Sequence, residues 1–142
     1  MSAVRITRIG TTKDQLGESP VWDERRQRLF WIDALAGSIH ALAPVTGATE
    51  QFGAPAPIGS LALRRDGGAV LALRHGFAHF DFDMRVLTEG PSIGLDHPKV
   101  RLNDGKADPH GRFVAGTMHG DRPPDEAPLG GLYRLDASGA LE

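Results

Sequence analysis

Cysteine is absent from this 142-residue chain. That excludes disulfides and thiolate metal sites, and it is compatible with a reducing compartment. Long hydrophobic runs are missing too: no apolar stretch approaches the roughly 20 residues that a bilayer-spanning helix needs. The opening residues, MSAVRITRIGTTKDQ, contain neither a signal-peptide core nor a cleavage site, so a cytoplasmic location is expected. Neither sign of charge dominates. Sixteen Lys and Arg face eighteen Asp and Glu, for a net charge of -2, and no basic field for nucleic acid results. Extended amphipathic helix patterns are lacking as well. Asparagine is almost gone: Asn103 is the only one in the chain.

Glycine and proline are plentiful, with 18 and 10 residues spread along the whole length. Their even spread predicts frequent turns rather than one linker. Hydrophobic residues make up 40% and charged residues 24%, a balance that supports one globular domain with its own core. Apolar residues alternate in short bursts: RLFWID, SIHALA, SLALRR, AVLALR, FAHFDFD, RFVAGTM and GLYRLD. Short alternating runs separated by turn residues predict an all-β protein.

The bursts recur in a fixed order. ESPVWDERRQRLFWIDALAGSIHALAPVTGATEQF reads as three strands and turns leading into a fourth strand. GSLALRRDGGAVLALRHGFAHFDFDMRVLTEG repeats that plan, and NDGKADPHGRFVAGTMHG, resumed by GGLYRLDASGALE, repeats it again. Aligning the first strands pairs Glu18 with Gly59 and Asn103, at steps of 41 and 44 residues. A period near 40 with about four strands and no helix predicts β-propeller blades, here about three, over residues 16–56, 57–98 and 99–142. A β-sandwich with coincidental spacing is the competing architecture. TGAT, RDGG, ASGA and ERRQR read as hairpin turns, and the proline-bearing HGDRPPDEAPLG as a surface loop. Three blades do not close a ring, for which four to eight are typical. The chain is therefore expected to be a piece of a longer propeller, or to self-associate and complete one.

In a propeller the first strand of each blade lines the central channel. Glu18 and Asn103 then converge near its mouth, where an acid and an amide oxygen suit a hard divalent cation. Gly59, lacking a side chain, is expected to leave open space between them. RLND is read as strand, because Asp108-Pro109-His110-Gly111 supplies the turn. Arg101 lies two residues before Asn103, on the same side of that strand. His75 and His79 are placed on one strand face without a carboxylate partner, which reads as satisfied or solvated histidine. No G-x-S-x-G elbow and no phosphate-binding glycine loop is present.

GESPVWD, LFWID and RLNDGKADPHGRFVAGTM together resemble the senescence-marker protein / regucalcin / gluconolactonase family, with similarity running from about Leu16 to Leu135. The resemblance implies a six-bladed propeller with one divalent metal at the end of its channel, and hydrolysis of sugar lactones such as gluconolactone to the aldonic acid. It implies a metal-ligand role for Glu18, and substrate contact for Arg101 and Asn103. Asp121 falls near an acidic substrate-contacting position, although its surroundings, HGDRP, depart from the pattern. The family's other metal ligands, an Asn and an Asp that also serves as base, come from later blades. On this reading no catalytic base lies within the chain, and calcium, zinc, magnesium, manganese and iron remain equal candidates for the metal. The alternative is a non-enzymatic propeller that binds calcium or a protein partner.

Overall fold

The computed structural model describes residues 3–142. It contains eleven strands and, among the described residues, no helix. The first sheet is an antiparallel meander of β1 (Gly17–Asp23), β2 (Arg28–Asp33), β3 (Ser38–Ala43) and β4 (Ala48–Gly53). The second repeats it with β5 (Ser60–Leu63), β6 (Ala69–Ala72), β7 (Gly76–Asp81) and β8 (Val86–Ser92). The third comprises β9 (Val100–Ala107), β10 (Phe113–His119) and β11 (Leu132–Leu135). A bridge from Leu135 to Leu141 continues it at the outer side.

Each sheet is a blade. β1 packs against β5 and β5 against β9, so the first strands adjoin. The fourth strands, β4 and β8, are mostly exposed. Strand alternation drives this stacking, because the residues at every second position are apolar and need a neighbouring face to cover them. Between blades one and two lie Phe30, Ile32, Ile39, Phe52, Leu71 and Phe80. Aromatic pairs there, such as Phe30–Phe82 at 4.8 Å and Phe52–Phe80 at 5.9 Å, each contribute about 0.5–1.5 kcal/mol beyond area burial. Between blades two and three the filling is smaller, with Ala62, Ala72, Phe77, Leu102, Phe113 and Ala115.

Aspartates fasten the turns. Asp108 Oδ1 accepts from the N–H groups of His110 and Arg112, and Asp136 Oδ1 from those of Ser138 and Ala140. Asp23 does the same for Arg25 and Arg26. These are Asx-type turns, in which a short carboxylate replaces a backbone acceptor. The loop between β10 and β11 spans residues 120–131, as the paired prolines Pro123 and Pro124 require.

LFWID serves packing. Trp31 and His40 stack at 5.0 Å on the face of blade one that points away from blade two. Asp14 holds both, accepting from Trp31 Nε1–H at 2.8 Å and lying 3.2 Å from His40 Nε2. Asp33 ties the same incoming segment down by accepting from the N–H groups of Gln15 and Leu16.

Candidate functional site

The motif segments GESP and RLND both sit on first strands, and both are bulged. In β1, Glu18 pairs with Ile32 and Val21 with Phe30, so Ser19 and Pro20 together oppose Trp31. Ser19 has φ 55°, in the left-handed region. In β9, Leu102 pairs with Thr117 and Gly105 with Ala115, so Asn103 and Asp104 together oppose Gly116. The strand reading of RLND is borne out over Val100–Ala107, but the Asn-Asp-Gly run adds a bulge within it. A bulge bends a strand and re-aims its side chains, which is why such features recur next to functional sites.

Hydrogen bonds set the three first strands level with one another. Ser19 Oγ accepts from Leu61 N–H at 3.2 Å, and Ser60 Oγ–H donates to Asn103 O at 2.8 Å. Gly59 lies against the same stretch. A Cβ there would stand 2.6 Å from the carbonyl oxygens of both Leu102 and Asn103. The expected open space is therefore filled: the backbone of β9 occupies it, and glycine is required for that close approach.

Glu18, Arg101 and Asn103 are all half-buried. Arg101 and Asn103 alternate with the fully buried Val100 and Leu102, so they share the other side of β9. Arg101 Nη1 donates to Leu102 O at 3.1 Å. Among the described residues, no hydrogen bond or ion pair engages the Glu18 carboxylate or the Asn103 amide. Unengaged oxygens of this kind have the chemistry that calcium or magnesium takes, but two protein donors fall short of a six-fold shell. The donor type fits a hard cation; a complete shell needs ligands from outside this set. Asp121 lies apart, in the 120–131 loop, exposed and with φ 45°. Its carbonyl accepts from Lys99 Nζ at 3.0 Å.

A second group of donors has no counterpart in the sequence reading. Glu126 Oε1 lies 3.3 Å from His97 Nε2 and 3.6 Å from His119 Nε2. The two imidazole rings meet edge to face at 4.9 Å. The positions are 97, 119 and 126, so no local spacing announces them. The antiparallel pairing of His119 with Val100 delivers the second histidine beside the first, and the return of the loop delivers Glu126. By contrast, His75 lies in the connection before β7 rather than on a strand with His79. His79 Nδ1 contacts Arg64 Nη1 at 2.5 Å, and burial together with the Arg64 charge lowers its pKa.

A surface concavity of about 450 Å³ is lined by the β5–β6 and β7–β8 turns, including Arg64, Asp66, His79 and Asp83. None of the sequence-predicted site residues lines it.

Three antiparallel meanders, wedged blade against blade with their first strands adjoining, define a β-propeller. Within that class, the chain belongs to the SMP-30/Gluconolactonase/LRE-like family, whose model matches residues 16–142. The chain is 43% identical over 126 residues to a 6-deoxy-6-sulfogluconolactonase of Pseudomonas putida, covering 86% of the chain and 41% of that protein. It is 38% identical over 118 residues to regucalcin of Xenopus laevis, covering 83% of the chain and 40% of that protein. A crystal structure of a calcium-binding protein, regucalcin, from Agrobacterium tumefaciens superposes with a TM-score of 0.80 at 28% identity, covering 92% of the chain and 43% of that structure. The chain thus spans less than half the length of the relatives it matches.

Proposed function

We propose that the chain contributes the metal-ligand and substrate-binding wall of a metal-dependent sugar lactonase. The carrying observation is the level arrangement of two bulged first strands, with Glu18 on one and Arg101 and Asn103 on the other, and with the Glu18 and Asn103 side chains unengaged among the described residues. Likeness to a sulfogluconolactonase supports the substrate class. Glu18 would hold the divalent ion, which when bound supplies a Lewis acid for the lactone carbonyl. Arg101, through its guanidinium, and Asn103, through its amide, would grip the hydroxyl and ring oxygens of the sugar and fix its attitude. Asp121, from the loop, would reach a further hydroxyl.

The reaction adds water to the lactone carbonyl carbon and breaks the ring C–O bond. The ring oxygen takes up a proton and the product is the aldonic acid. No group in this chain is assigned as the base that deprotonates the water. The isolated chain is therefore expected to show little or no turnover. Gluconolactone hydrolysis, followed by acid release with added Ca²⁺, Mn²⁺, Mg²⁺, Fe²⁺ or Zn²⁺, tests this, and robust turnover would overturn the missing-base assignment. In a longer protein that carries further blades, Arg101→Ala and Asn103→Ala should impair substrate use, while Glu18→Gln weakens metal binding.

A second reading, a calcium-binding propeller without lactonase activity, is favoured by the likeness to a calcium-binding regucalcin. It predicts calcium binding without lactone turnover even in the longer protein. A third arrangement, two copies of this chain completing one ring, predicts a dimer by light scattering.

A further inference from the structure

We propose that His97, His119 and Glu126 form a zinc site, separate from the first-strand donors, which pins the 120–131 loop to the start of β9. The argument begins with His119. On β10, Phe113 and Ala115 lie buried toward blade two, and His119 continues their alternation at the end of the strand. Its side chain is only 5% exposed. Among the described residues, neither ring nitrogen has a hydrogen-bond partner. Two orphaned nitrogens on a buried imidazole are costly, and native structures seldom leave such groups without a partner.

The partner that fits Nε2, the nitrogen facing Glu126, is a cation. Two ligands bound about 2.1 Å from a tetrahedral zinc ion stand about 3.4 Å apart. Glu126 Oε1 lies 3.3 Å and 3.6 Å from the two histidine Nε2 atoms. All three ligand atoms fall within 4.8 Å of one another, so small rotations of the part-exposed His97 and Glu126 complete the triangle. Two imidazoles and a carboxylate are a borderline set that selects zinc over calcium or magnesium. A fourth position is left for water. Loading through His97 Nε2 moves that ring's proton to Nδ1, which now accepts from Lys99 N–H at a long 3.3 Å. That weak contact is the one the ion would displace.

The elements that carry the ligands explain what the ion would do. His97 precedes β9, His119 ends β10, and Glu126 comes from the loop that returns to β11. Backbone bonds already join the first two, with Gly120 N–H donating to Lys99 O at 2.8 Å. Glu126 adds the loop, whose local contacts run from Arg122 Nη1 to the carbonyls of Pro123 and Glu126. The zinc clamp stands whether or not Asp121 meets substrate.

Isothermal titration of Zn²⁺ into the 142-residue chain tests the site, with Co²⁺ as a visible-absorption probe. One equivalent of zinc and the absorption bands of four-coordinate, nitrogen-ligated Co²⁺ are expected. His119→Gln and Glu126→Gln should each weaken zinc binding by at least about a hundredfold, the upper end of what outer-shell partners alone cost. His110→Gln, on the exposed turn between β9 and β10, should leave the isotherm in place. Glu126 is on a loop, so Glu126→Gln remains decisive if His119→Gln fails to fold. Cleavage after Glu126 by a glutamate-specific serine protease should slow by up to about a hundredfold at zinc concentrations a hundred times the Kd, because only the closed loop binds. Absence of saturable binding, or binding that survives Glu126→Gln in a folded protein, would overturn the site. Unaltered cleavage in the zinc-loaded chain would overturn the clamp.

Discussion

The first-strand donors and the histidine group differ in chemistry and in how they are held. Glu18 and Asn103 offer hard oxygens, on strands locked by Ser19–Leu61 and Ser60–Asn103 hydrogen bonds. His97, His119 and Glu126 offer two nitrogens and one oxygen, and one of the three depends on a loop. The first set is geometrically rigid but short of ligands. The second has ligands enough for zinc but must gather them. Rigidity and completeness are thus divided between two regions of the molecule, and a cation that suits one set is poorly matched to the other.

The sharpest way to test that division is the zinc titration. Glu126→Gln should weaken zinc binding about a hundredfold or more while calcium binding, where present, is unmoved. Calcium loss in that variant would show the two regions to be one. Next in size is Gly59→Ala, which drives a methyl group into the carbonyls of Leu102 and Asn103. It should destabilise the chain by about 1–3 kcal/mol, read from the denaturant midpoint, and leave zinc affinity unchanged. Ser19→Ala removes the acceptor for the buried Leu61 N–H. A loss of about 1 kcal/mol is expected, rising toward about 3 if no water replaces the hydroxyl.

The mildest test changes no residue. Burial pushes the Asp33 carboxyl up, but the N–H groups of Gln15, Ala36 and Leu16 outweigh it and hold the pKa below the usual carboxylate range. Asp23 is similar: burial opposes the shift, and the Arg26 backbone and guanidinium with the Arg25 N–H prevail. A depressed carboxylate pKa contributes stability that is complete above the unfolded-state value and lost as pH falls through the folded one. The melting temperature should therefore hold from neutrality to about pH 5 and fall below about pH 4. A melting temperature that rises on acidification would contradict these assignments.

Much of the fold was legible because alternation and turn residues are local signals. Phe30 and Ile32, or Leu61 and Leu63, announce a strand face within a few positions, and turn residues such as Asp66-Gly67 or Asp108-Pro109 announce its end. The GESP and RLND segments stood out by their motifs. Their bulges did not, since an extra residue in a strand is defined only against its partner. Gly59 was read as empty space for a related reason: what a glycine admits depends on which backbone approaches it. The paired histidines went unread because their residues lie 22 and 7 positions apart, and only the pairing of β9 with β10 sets a distance between them.

By itself, then, the sequence determined the all-β character, the blade order, the turns and the motif residues, all of which rest on periodicity and local backbone preference. The tertiary structure decided where Gly59, Ser19 and the two bulges meet, and it alone assembled His97, His119 and Glu126. Ligand sets and close approaches are distances between segments, and such distances come into being only when the sheets pair and the blades pack.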